Sequence, residues 1–253
     1  MADSLPFFLL AAPLVLLTGI SKGGFANGLG SITVPLLSVL IDPRQAAGIM
    51  LPILCFMDLL ALWQYRRGWD ATSLRLMIPG ALIGIGIGTL TFHLMNVDML
   101  RLVVGLMAVY FVLNFLWAKV RQSAPKAKGH NPAKGGLFGL LAGFVSFVAH
   151  AGGPPVAMYL LPLRLHKTTL VATSVVFFTT VNYVKLIPYA WLGQLSPGNL
   201  RTSLILLPLA PLGIWLGAWM HRNFSDRLFY VFFYGVLFVV GVKLTVEGLW
   251  ALL

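Results

Sequence analysis

The sequence predicts an all-α polytopic membrane protein made of two inverted repeats, each a re-entrant helical hairpin plus three transmembrane helices. Three observations predict it. Apolar runs of about 20 residues, the length a helix needs to cross a bilayer, recur along the chain. Of its 253 residues 58% are hydrophobic and 10% charged, where a soluble domain carries about a quarter charged. Two glycine-rich breaks, at 18–35 and 143–156, interrupt these runs half a chain apart, and cations gather in alternate short loops.

In chain order, a first apolar run covers Leu5 to Ile20 and a second covers Leu29 to Ile41. At about 1.5 Å per residue the second reaches roughly 20 Å, short of the roughly 30 Å hydrocarbon core. The pair therefore reads as a re-entrant hairpin with its glycine-rich tip inside the protein. Runs from Gln45 to Tyr65, Leu74 to Leu94 and Met99 to Ala118 are long enough to span. A polar, basic linker occupies 119–134, and the pattern then repeats. Gly135 to Ala149 and Pro155 to Leu163 form the second hairpin, and Thr168 to Leu192, Leu200 to Met220 and Leu228 to Trp250 follow as spans. In each half the third loop ends in Leu-Arg (Leu74-Arg75, Leu200-Arg201), the fourth run is rich in glycine, and the fifth opens after an aspartate (Asp98, Asp226). Residues 1–118 and 135–253 are thus the two transmembrane repeats.

The net charge of +11 comes from 18 basic and seven acidic residues. In a soluble protein that excess would suggest nucleic acid, but here the cations lie in short loops between apolar runs, where Lys and Arg mark the cytoplasmic side. Twelve of them fall on one side if each hairpin enters and leaves by the same face: Arg66, Arg67, Arg75, Lys119, Arg121, Lys126, Lys128, Lys134, Arg164, Lys167, Arg222 and Arg227. This places the linker in the cytoplasm and both termini outside. Each half then crosses an odd number of times, so the halves are inverted relative to each other. The single cysteine, Cys55, excludes an intrachain disulfide and reads as a small packing hydrophobe. No cleavable signal pattern, cofactor motif or metal-ligand spacing is evident.

Inverted repeats with broken helices describe many secondary transporters. Lys22, in the first break, carries a charge at bilayer depth, which costs several kcal/mol unless paired or wetted; the bland alternative is a lysine that snorkels to an interface. Gly23, Gly24, Gly28 and Gly30 allow close backbone approach, Asn27 and Ser31 add hydrogen-bonding side chains, and the following helix start offers free N–H groups, a combination that suits an oxyanion. The second break supplies His150, Gly152 and Gly153. His150 either meets an anion, carries a proton, or simply packs. Asp58 is an acidic residue well inside a span, free to pair with Lys22 or Lys185 or to relay protons for coupling to a proton or another ion. Asn182 holds roughly the matching place in the second half, and Lys185 beside it either pairs with Asp58 or snorkels. Trp63, Tyr65, Trp69, Trp191 and Trp250, near run ends, read as interface anchors. A channel and an intramembrane enzyme using His150 and Asp58 are the competing classes; neither a filter-like ring nor a nucleophile–base pair is evident.

The stretch Gly19-Ile-Ser-Lys-Gly-Gly-Phe-Ala-Asn-Gly-Leu-Gly30, followed by Val34-Pro35-Leu36-Leu37, resembles the first-repeat motif of the TauE/SafE sulfite exporter family. The second-repeat motif is a looser match, because His150 stands where a small or hydroxyl residue is commoner. The resemblance extends over nearly the whole chain. It implies a multi-pass permease of the bacterial inner membrane for sulfite, sulfonates or related small anions, working as an exporter without a cofactor. Its partners would be the anion and the lipid bilayer, with no nucleic acid. Whether copies pair as a homodimer is open.

Overall fold

The computed structural model describes residues 5–24, 33–38, 40–92 and 129–223, together with parts of 94–117 and of 235–250. Its elements are helices: α1 (Leu5–Gly24), α2 (Thr33–Leu37), α3 (Pro43–Gln64), α4 (Ala71–Thr91), α5 (described positions within 98–117), α6 (Pro132–Ala149), α7 (Gly153–Leu160), α8 (Lys167–Trp191), α9 (Pro197–Leu206), α10 (Leu209–Asn223) and α11 (described positions within 235–250). A 3₁₀ turn, Leu161–Leu163, extends α7. Among the described residues five helices are long and apolar enough to cross a bilayer, six if α9 and α10 count as one bent span.

Helix starts follow local chemistry. Asp42, Asp70, Asn131 and Ser196 each accept a backbone N–H of the first turn of α3, α4, α6 and α9, and proline occupies the opening of α3, α6 and α9. Such caps satisfy donors that have no partner within the helix. The Asn131-Pro132 pair starts α6 three residues before the expected Gly135.

Two boundaries differ more. The first run, expected to stop at Ile20, continues as helix to Gly24, so Lys22 lies on the last turn of α1 and not in a loop. At about 1.5 Å per residue α1 is about 30 Å long. The hairpin limbs are therefore unequal: α1 and α6 could each cross alone, whereas α2 and α7 reach at most about 12 Å. The run from Leu200 to Met220, expected as one helix, is two, bent by 46°. Pro208 stands at the break with Pro211 just after it, and a proline both removes a helical hydrogen bond and clashes with the preceding turn. The single Pro79 leaves α4 unbroken.

The helices pack across the halves. α1 lies along α10, and α6 along α4, with glycines at both seams. A Cβ on Gly84 would sit 2.1 Å from the Leu140 carbonyl oxygen, and one on Gly143 would sit 2.1 Å from that of Ala81. At the other seam a Cβ on Gly217 would sit 2.2 Å from the Ile20 carbonyl oxygen. Glycine is thus what permits these backbones to touch, the packing that serves where lipid removes the hydrophobic drive between helices. α5 and α11 meet similarly, Gly105 against Thr245 and Gly248 against Leu102.

Large apolar side chains cover the outside: Leu90, Ile187, Trp63 and Trp191 are each at least three-quarters exposed. Trp63 and Trp191 stand at helix ends, as an interfacial belt requires, and Trp250 is exposed on α11. Tyr65 does not join them. It is buried, and its hydroxyl donates to the Gly23 carbonyl at 2.6 Å. Its counterpart Tyr189 donates to the Phe147 carbonyl at 2.5 Å. Each tyrosine satisfies a carbonyl in the last turns of a first-hairpin helix.

The loops gather at two ends. At one, Asp70 faces His130 at 3.6 Å and its N–H donates to Thr173, while His221 meets the Gly24 carbonyl and the Tyr65 ring. At the other, Asn199 bonds Gln194 and Gln45, and the Arg44 guanidinium lies 5.0 Å from the Phe92 ring centre.

Candidate functional site

α1, α3, α6 and α8 together bury a network of charged and polar side chains. Lys22, Asp58, Ser146, Asn182 and Lys185 are each at most 2% exposed, and His150 is 6% exposed. The Lys22 ammonium donates to Asp58 Oδ1 at 2.5 Å and to the Leu54 carbonyl at 3.0 Å. Asp58 Oδ2 accepts from the Asn182 amide at 2.8 Å. The carboxylate thus joins α1 of the first half to α8 of the second through α3.

Lys185 lies one turn beyond Asn182 on α8. It donates to the Ser146 carbonyl at 2.9 Å, to Ser146 Oγ at 3.0 Å and to His150 Nδ1 at 2.8 Å. An ammonium has only donors, so Nδ1 must accept and the imidazole carries its proton on Nε2. From there it donates to the Ala47 carbonyl at 3.0 Å. Every donor of this lysine is used, and none of its partners carries a negative charge. Lys185 does not snorkel, nor is it bonded to Asp58.

His150 owes its position to an unusual backbone. It caps α6 with φ 51° in the left-handed region, where its N–H returns to Ser146 and that of Ala151 to Val145. A residue other than glycine held there costs of order 1–3 kcal/mol, a strain that tends to cluster at functional sites. Gly152 follows because a Cβ would lie 2.8 Å from the Ala142 carbonyl oxygen.

The remaining residues singled out in the sequence divide three ways. Gly23 and Gly24 face α10: a Cβ on either would lie within 2.3 Å of a backbone oxygen there. Helix packing accounts for them. Asn27, Gly28, Gly30 and Ser31 lie outside the described residues. Gly153 opens α7, but Pro154 and Pro155 follow it and have no N–H, and the Val156 N–H is bonded to Gly152. The second break therefore offers fewer free backbone donors than a glycine-rich helix start suggests. Ser146, one turn before His150, joins the network through its bonds to Lys185. Thr18 and Thr33, hydroxyl to hydroxyl at 2.5 Å, hold α2 against α1.

A many-span helical membrane protein whose buried charges sit where its halves interlock belongs, by construction, to the class of polytopic integral membrane proteins. Residues 11–244 match the family described as Sulfite exporter TauE/SafE, and the chain belongs to that family of membrane transporters. No curated protein and no solved structure matches the chain.

Proposed function

We propose that the chain is a secondary transporter exporting small anions, sulfite, sulfonates and related organosulfur compounds first among them, by alternating access around the buried network. The observation that carries this is the burial of two lysines and one aspartate on the contacts between α1, α3, α6 and α8. Ionisable groups inside a membrane protein mark solute or ion pathways. Family membership supports a sulfur-containing anion as substrate.

The cross-half seams support reading the halves as inverted repeats. α1 docks on α10 as α6 docks on α4, and Tyr65 and Tyr189 close the two hairpins in the same way. On this reading the unequal hairpins enter from opposite faces, and the halves rock about the network. The end carrying Asp70, His130 and His221 lies in the cytoplasm, beside the basic loops, and both termini lie outside the inner membrane.

Purified protein in proteoliposomes should exchange isotopically labelled sulfite or a small alkanesulfonate in counterflow, with saturable kinetics and chemically unchanged solute. Exchange of carboxylates but of no sulfur anion would overturn the substrate class. A chemically altered product would overturn transport.

A further inference from the structure

We propose that Lys185, with Ser146 and His150, is the subsite that meets the charge of the transported anion, and that Lys22 is not. This rests on the transport reading above and names the binding group within it. The argument is one of charge. Lys22 and Asp58 form a direct ion pair at 2.5 Å, which together with Asn182 is electrically neutral. Lys185 is fully buried, and among the described residues no carboxylate bonds it. Its three hydrogen bonds run to a carbonyl, a hydroxyl and an imidazole nitrogen, which are all neutral. With Lys185 protonated the network carries one positive charge in excess, and the excess lies on Lys185. A cation held in a low-dielectric interior calls for an anion, and an exporter of anions has one to offer.

The neighbours suit that ligand. Ser146 Oγ accepts from Lys185 now, and its own O–H can turn to an incoming oxygen, since a hydroxyl both donates and accepts. The Lys185 bond to His150 Nδ1 is the one an anion can replace. The ring stays anchored through Nε2 to Ala47, and the main-chain contact of Lys185 to Ser146 keeps the ammonium in place. A small oxyanion would accept from Lys185 and Ser146 together, a charge-assisted pair of hydrogen bonds. Other groups within electrostatic reach of Lys185 are Lys22, Asp58 and Cys55. Repulsion from Lys22 is offset by its own carboxylate, so the field at the subsite remains positive.

The experiment is thermal unfolding of the purified full-length protein against sulfite and ethanesulfonate, with counterflow of the same anions in proteoliposomes. Wild type should be stabilised by at least one of them. Lys185→Met should abolish that shift, weaken binding by more than about thirtyfold, and leave the unliganded protein as stable as wild type or more so, because an uncompensated charge has gone. Should Lys185→Met not fold, Ser146→Ala and His150→Gln must each weaken anion binding severalfold. A shift kept in full by Lys185→Met, or by both substitute variants, overturns the assignment to Lys185 alone. A wild type that neither binds nor exchanges sulfite or ethanesulfonate overturns the substrate class proposed above, and this subsite with it.

Discussion

Truncating Lys22 leaves the Asp58 carboxylate facing a carbonyl and one amide in a dry interior. Lys22→Met should therefore cost about 3–5 kcal/mol of stability, the usual penalty for breaking a buried pair from one side. Lys22→Met combined with Asp58→Asn should recover most of the loss, and a double-mutant cycle from thermal or SDS unfolding would measure the coupling. A simple sum of the two single losses would deny the pairing. Tyr189→Phe should cost about 1 kcal/mol, one buried hydrogen bond to the Phe147 carbonyl, read by the same unfolding assay. At this scale the ionisable residues were legible in the sequence, because a charge within an apolar run is conspicuous by composition alone. Lys22, Asp58 and Lys185 were found that way. A pair with Asp58 was read too, but with Lys22 and Lys185 as alternatives, and only the helix contacts choose between them. Tyr65 was misread for a related reason: a tyrosine at a run end serves an interface or a neighbouring carbonyl equally well.

The glycine-rich runs divide into positions that touch a backbone and positions that face lipid. Gly84→Ala and Gly143→Ala each place a methyl about 2 Å from a carbonyl oxygen, which α4 and α6 can accommodate only by separating. Each should destabilise by about 1–3 kcal/mol or more. Gly86→Ala, two positions along from Gly84, meets nothing within 4 Å. It should leave the melting temperature unchanged or raise it slightly, since alanine is the better helix former by about 1 kcal/mol. Thermal melts of the three variants in one detergent would test the seam, and equal effects at all three positions would refute it. The sequence displayed the glycines and their recurrence in both halves, but a glycine run does not name the helix that lies against it. The length of α1 was similarly hidden. Gly23 and Gly24 read as a break because glycine is a poor helix former in isolation, and the contact with α10 reverses that preference. The bend between α9 and α10 was written in Pro208 and Pro211, which hydropathy averages pass over.

For the molecule as a whole, the grouping of loops at two ends makes the proposed orientation testable. With Cys55 replaced by Ala, a single cysteine at Gln194 should react with a membrane-impermeant maleimide added to intact cells. A cysteine at His130 should react only after the membrane is opened. The reverse pattern would invert the topology. A helical chain with several runs of membrane-spanning length was open to sequence reasoning, because such runs stand out in hydropathy. Which surfaces of the halves meet is a matter of three-dimensional complementarity, carried by single methyl groups present or missing, and no periodicity encodes it.

The crossed seams bear on how the chain is made. The first hairpin helix of each half finds its partner in the other half, so α1 must wait for α10, which leaves the ribosome much later. During that wait its glycine face has only lipid or insertion machinery against it. Neither half is then a self-sufficient folding unit. Two polypeptides, separated within the 119–131 linker, should each be degraded when expressed alone. Produced together, they should recover a stable and transport-competent complex.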